Sequence, residues 1–239
     1  MPGVLYLIPN ALGPGALQSV LPAQTSTIAA RLDYFVGEDA KSTRAFLKRV
    51  GEVVPLEKPL REIEIVELDV STSSDVLPAL LAPIVMGRDG GLVSEAGCPA
   101  VADPGAGLVR MAHQHSIEVR PLVGPSAILL ALMASGLDGQ RFAFNGYLPT
   151  DAVERVKAVH AFEQLSAKHR QTQIFIETPY RNRALLAALL EHCKPQTLLC
   201  VARDLTLESQ SIATRSIEGW RATTIDLHKR PTIFLMLAP

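Results

Sequence analysis

Short apolar runs broken by glycine- and proline-containing loops set the rhythm of this chain. Val4–Ile8 (VLYLI) stops at Pro9, Asn10 and Gly13, the pattern of a buried strand delivering a loop, here the first strand of a parallel sheet. Residues 34–36 predict a second strand, and Ser42 opens a predicted helix closed by Gly51 as C-terminal cap. The alternation in 62–68 (EIEIVEL) predicts a half-exposed strand, and 75–83 a helix with prolines marking its ends. A short strand at 91–93, a loop from Ser94 to Gly105, a helix at 108–115, a strand at 117–123 and a very apolar helix at 127–134 follow, the last capped by Gly136. From about residue 140 the alternation restarts. Strands are predicted at 141–144, Thr172–Ile176, 197–201 and Thr232–Leu237, and helices at 151–168 and 182–193. Strand, tight loop and helix in repetition are the α/β signature. The chain divides into two α/β lobes of ordinary domain size, 1–120 and 121–239, with the hinge near 121–125, and a cleft between lobes is the default ligand site.

Composition narrows the classes. With 239 residues, 48% hydrophobic and 20% charged, the chain buries one large core or two modest ones, which excludes disorder and small disulfide scaffolds. The longest apolar run is eight residues, far below the roughly 20 that span a bilayer, so no membrane partner is expected. The first thirty residues carry no charge and so lack the basic start of a secretory signal, and the expected location is the cytoplasm. Three cysteines without a CxxC suit a reducing compartment, and His113 and His115, two apart on a predicted helix, point away from each other; no metal is expected. The net charge of −1 hides an asymmetry. Residues 1–119 hold 9 Lys/Arg against 14 Asp/Glu and residues 120–239 hold 14 against 10, so an anionic partner would meet the second half, although uneven surface charge without function fits equally well.

No GxGxxG follows a strand, and neither GxxxxGK[ST] nor GxSxG occurs, which removes the usual dinucleotide, P-loop and nucleophile-elbow chemistries. What remains is a set of strand-end loops: PNALGPG (9–15), GEDAKSTR (37–44), SEAGCPAVADPG (94–105), VGPSA (123–127), ETPYR (177–181) and ARDLT (202–206). Strand ends are where α/β folds receive ligands.

These loops carry a resemblance. GLVSEAGCPAVADPG, PLVGPSA and ASGLDGQRFAFNGYLP resemble, in order, the S-[DE]-A-G-x-P-x-x-x-D-P-G, P-x-P-G-P-S-A and S-G-L…F-x-F-x-G-[FY]-L-P blocks of the tetrapyrrole methylase superfamily, in particular its branch of ribosomal RNA cytidine 2′-O-methyltransferases. The match runs over roughly residues 4–217 and is most specific at 91–149. The chain departs from the branch at Asn10-Ala11-Leu12-Gly13-Pro14, at Ala40-Lys41 and at Leu207, where a lysine is usual, and it stops at Pro239 without the extension many members carry.

The resemblance implies two α/β lobes of the tetrapyrrole methylase type, a homodimer, and S-adenosylmethionine (SAM) bound folded in the inter-lobe cleft. It places the donor near Leu12, Cys98, Pro99, Val101, Ser126, Ala127, Thr178, Tyr180, Ala202 and Thr232. Cys98 contributes its loop backbone only, and Ser126 serves as a helix N-cap, alone or with a ligand contact. RNA is the implied acceptor, methylated on a ribose 2′-oxygen in rRNA processing; a tetrapyrrole, another small acceptor or a protein-borne one is the competitor, and a SAM-binding regulatory module without catalysis is the alternative of another class. Methyl transfer is an in-line displacement, so the protein must align the acceptor and remove its proton. Glu177, Glu95 and Glu38 are the candidate bases, and Arg181, with Arg44 and Arg203, could hold an anionic acceptor. For Glu177 and Arg181 a structural ion pair is the competing reading.

Overall fold

The computed structural model describes all 239 residues and divides into two compact units, Met1–Ser126 and Ala127–Pro239. Both are α/β, in keeping with the two-lobed fold expected from the sequence. No helix is long and apolar enough to cross a membrane.

The first unit is built on five parallel strands, β1 (Val4–Ile8), β2 (Tyr34–Gly37), β3 (Glu64–Glu67), β4 (Gly90–Val93) and β5 (Glu118–Pro121), in the order β3-β2-β4-β1-β5. Alternating side chains of the central strands feed two cores, as the pleat requires. Tyr6, Ile8, Phe35 and Val93 pack with α1 (Ala23–Arg31) and α2 (Ala40–Val53) on one face. Leu5, Tyr34, Val36 and Leu92 pack with α3 (Leu77–Val85) and α4 (Ala106–Gln114) on the other.

In the second unit α5 (Ala127–Ser135) precedes a mixed sheet of β6 (Phe142–Tyr147), β7 (Thr172–Ile176), β8 (Leu198–Arg203), β9 (Ser211–Ser216) and β10 (Thr232–Leu237), ordered β6-β7-β10-β8-β9. Only β6 and β7 run parallel; β10 is antiparallel to both its neighbours. One face packs Phe175, Val201, Phe234 and Met236 under α6 (Ala152–His169), α7 (Asn182–His192) and α8 (Ile217–Arg221), where the buried Trp220 indole donates to the Leu199 carbonyl at 2.7 Å.

Several predicted elements need correction. Gly51 does not cap α2, which runs on to Val53; its start is fixed by Asp39, whose carboxylate accepts the Ser42 N–H at 2.7 Å. Pro83 lies inside α3 and forfeits one helical hydrogen bond, while Leu80, Leu81 and Ile84, buried in the core, carry the helix two residues beyond it. Residues 60–62, after Pro59, form a turn of 3₁₀ helix, so β3 starts at Glu64 and not at 62. α1 gave no apolar stripe because it buries Thr25, Ser26, Ala29 and Ala30, small residues that allow close approach to the sheet. β9 is a half-exposed edge strand, too polar for the buried-strand pattern.

Candidate active site

β1 and β4 lie side by side with Leu7 opposite Leu92 and Ile8 opposite Val93, yet the helices that follow them, α1 and α4, pack on opposite faces of the sheet. Their carboxyl-end loops therefore part around a crevice, the switch point at which open parallel sheets bind ligands. The buried Asn10 ties the two loops together. It exchanges backbone hydrogen bonds with Gly97 at 2.9 and 3.1 Å, and its side-chain amide donates to the carbonyls of Glu95 (2.9 Å) and Ser94 (3.3 Å) while Oδ1 accepts the Ala11 N–H. A third loop, 123–126, closes against the pair. The Thr25 hydroxyl donates to the Val123 carbonyl at 2.8 Å, Cys98 Sγ lies 3.6 Å from the Pro125 carbonyl, and a Cβ at Gly124 would sit 2.3 Å from Pro9 Cβ, so only glycine fits there.

Leu12, Cys98, Pro99, Val101 and Ser126 thus belong to one set of neighbouring loops. Pro99 is buried, Val101 is exposed, and burial pushes the Cys98 thiol above its ordinary range, so Cys98 is no nucleophile here. Ala100 and Ala102 both hold left-handed backbone, with φ of 63° and 66°. Such conformations cost about 1 kcal/mol or more each in a residue with a Cβ and gather at ligand sites.

The same end of the sheet is acidic. Burial, then the nearby carboxylates of Asp103 and Glu95, raises the pKa of Glu38, with a hydrogen bond from the Glu95 backbone pulling partly back. Asp103 is raised by burial and by Glu95, against a hydrogen bond from Ser94. Glu95 itself is exposed. Asp103 did not stand out in the sequence, where its DPG context reads as a turn.

In the second unit, antiparallel β10 brings its first residues beside the ends of β7 and β8: Thr232 pairs with Arg203, and Ile233 with both Ala202 and Ile176. Ala202, Thr232 and the 177–181 loop, with Thr178 and Tyr180, therefore share one edge. Ala127 is the first residue of α5. Glu177 is buried, with both carboxylate oxygens engaged. Oε1 accepts the Thr178 N–H at 2.7 Å, and Oε2 lies 2.9 Å from an Arg181 nitrogen, an ion contact set off the ideal hydrogen-bond axis. Arg181 also donates to the Thr150 hydroxyl (2.8 Å) and the Leu148 carbonyl (3.2 Å), so the pair pins the 148–150 turn. Neither Arg44 nor Arg203 forms an ion pair; Arg203 donates to the Asp226 carbonyl at 2.6 Å, and its Nε is buried without a partner. Nor is Asn182 Oδ1 satisfied, although the residue is fully buried and its amide donates to the Arg230 carbonyl at 2.6 Å. Nothing in the sequence marks Asn182 beyond its place at the start of a helix.

No family model matches the chain. Among curated proteins it is similar to the ribosomal RNA small subunit methyltransferase I of Mesorhizobium japonicum, 32% identical over 215 residues that cover 90% of this chain and 68% of the relative. The protein of the same name from Streptococcus pyogenes is 32% identical over 204 residues, 85% of this chain and 65% of the relative, and that from Xylella fastidiosa 31% over 206, 86% and 69%. The chain thus spans about two thirds of the length of the curated relatives it matches. Among solved structures, the methyltransferase CobJ superposes with a TM-score of 0.64 at 20% identity over 99% of this chain and 94% of that one. The uroporphyrin-III-C-methyltransferase from Thermus thermophilus gives 0.54 at 17% over 99% and 93%; at these identities both speak for the fold alone. Motif order, fold and relatives agree: the chain belongs to the tetrapyrrole methylase superfamily, in the branch of the ribosomal RNA small subunit methyltransferase I proteins, which are SAM-dependent methyltransferases.

Proposed function

We propose that this enzyme transfers a methyl group from SAM to a ribose 2′-oxygen of small-subunit ribosomal RNA. The name its relatives carry supports the RNA, and the resemblance to the cytidine 2′-O branch supports the atom. The observation that carries the donor side is the bound-together loop set of the first unit, with two alanines in left-handed backbone and Asn10 locking its base. Glycine- and proline-rich loops suit adenine and the methionine end, which want apolar walls and backbone hydrogen-bonding groups. In this proposal Leu12, Cys98, Pro99, Val101 and Ser126 hold the donor, and Ala127, Thr178, Tyr180, Ala202 and Thr232 keep the donor-binding roles the resemblance implies.

SAM supplies an electrophilic methyl group; the protein has to bring the acceptor into line and take its proton. We assign the proton to Glu95, whose exposed carboxylate stands at the crevice, and we assign Glu177 and Arg181 to positioning, since their charges are spent on each other and on the 148–150 turn. Exposed Leu129 and Met133 on α5 support a second copy of the chain as their cover, in the homodimer the resemblance implies, which sedimentation would test.

The direct test is transfer of labelled methyl from SAM into protein-free small-subunit ribosomal RNA. Label that enters the RNA and is released by ribonuclease is the expected result; label that enters only small molecules or protein overturns the RNA reading. Ser126→Trp should abolish SAM binding by calorimetry while the fold persists.

A further inference from the structure

Away from these loops, the second unit carries a basic groove that its proposed chemistry does not use. It is a recess of about 610 Å³ along α6, lined by His160, Gln164 and Lys168 from that helix and by His192 and Lys194 from the end of α7. The helical repeat explains the row: 160, 164 and 168 are each four apart and share one face, and the eight residues between the first and last span about 12 Å. The rings of His160 and His192 meet edge to face, 5.8 Å between centroids, and fix the mouth of the groove.

Its wall also contains a carboxylate, Glu163, but that group is turned inward. It is buried, and its Oε1 accepts the Lys194 N–H at 2.7 Å and the Thr197 hydroxyl at 2.6 Å. The exposed Glu191, 3.8 Å from His192 Nε2, is the one acid that reaches the rim. Lys168 and Lys194 are exposed and form no ion pair with the protein. Next to Lys168 in sequence, His169 and Arg170 are also exposed.

We propose that this groove binds the phosphate backbone of the RNA substrate, as a contact surface separate from the residues assigned to methyl transfer. Two free ammonium groups and two imidazoles line one open recess whose own buried carboxylate, Glu163, is already engaged, a donor-rich surface that complements a chain of phosphates. The roughly 12 Å of helix face is long enough to meet more than one phosphate of a strand. The lining has no exposed aromatic platform for base stacking beyond the histidines, which fits backbone contact without reading of sequence. This inference rests on RNA being the acceptor.

The test uses the full chain, the double variant Lys168→Gln/Lys194→Gln, and a control, Lys48→Gln/Arg110→Gln, which removes two exposed cations from the first unit. Anisotropy of fluorescein-labelled, protein-free small-subunit ribosomal RNA is followed from 50 to 200 mM salt, with SAM affinity measured by calorimetry. The groove variant is expected to lose about tenfold in RNA affinity and to reduce the slope of log K against log salt by about 1.5 units, with SAM affinity and the control unchanged. If the parent binds RNA and the groove variant binds it with the same affinity and slope, the groove proposal fails while the RNA reading stands. If the parent does not bind RNA at any salt, both fall. A variant that binds protein-free RNA normally but loses the assembled small subunit would mark the groove as a protein contact, and overturns the proposal.

Discussion

The two units of this enzyme solve the same construction problem with opposite chemistry. The first, a fully parallel sheet, opens a crevice by sending α1 and α4 to opposite faces, and it gathers Glu38, Glu95 and Asp103 at that end. The second, a mixed sheet, brings its loops to one edge by running β10 antiparallel between β7 and β8, and it carries the excess of cations. The acids of the first unit fit a donor that is a sulfonium cation, and the cations of the second fit a polyanion. The charge asymmetry of the sequence has a structural counterpart in the first unit, where three of its carboxylates gather at one end of the sheet.

Five substitutions sharpen this contrast. The largest effect is expected from Glu95→Gln in the first unit. If Glu95 takes the acceptor proton, turnover should fall by about 10²–10⁴ with SAM affinity nearly unchanged, because the amide keeps the shape but cannot accept a proton. A rate within threefold of the parent would remove Glu95 from the chemistry.

Next comes the buried charge of the second unit. Arg181→Met leaves Glu177 without its partner, and with Arg181 partly exposed the cost should be about 2 kcal/mol, or roughly 6 °C in Tm. Glu177→Gln should cost less and leave turnover within tenfold; a loss of 10² or more at unchanged stability would make Glu177 the base after all. Asp39→Ala removes the α2 cap and should lower the midpoint of chemical denaturation with little change in its slope.

The smallest effect concerns pH. Glu38 has a raised folded pKa, so the fold prefers its protonated form, and its charge weakens the fold as pH rises through that value. Asp138 and Asp226 of the second unit are lowered, chiefly by backbone hydrogen bonds from Arg141 and from His228 respectively; their contribution is present above the unfolded pKa and lost as pH falls through the folded one. Glu38→Gln should therefore raise Tm by about 2 °C at neutral pH, with the gain vanishing in acid where Glu38 is already neutral. A constant gain across pH would show that charge is not its cause.

How far the sequence could be read depends on how each element is buried, not on the unit it belongs to. β1, β7 and β10 were legible to the residue because short apolar runs bounded by Pro, Gly or a polar turn leave no choice of register. α1 and β9 were not, because burial of small polar residues and a half-wet edge strand leave no periodic trace. The loops that hold Leu12, Cys98, Pro99, Val101 and Ser126 were legible from glycine and proline spacing, whereas the residues themselves stood out only through the resemblance. Their mutual arrangement depends on Asn10, whose importance comes from contacts 84 and 85 residues away. The Glu177–Arg181 pair was visible as four-residue spacing, whereas the burial that commits it to structure, and the solitary Asn182 Oδ1, exist only in three dimensions.

The central claim is the acceptor atom. Small-subunit ribosomal RNA incubated with enzyme and SAM carrying a deuterated methyl group can be digested to nucleosides and read by mass spectrometry. Label confined to the ribose of one nucleoside, absent when Glu95→Gln replaces the parent, is the outcome expected here. Label on a base, or none in RNA while a tetrapyrrole or a protein acquires it, would contradict the account.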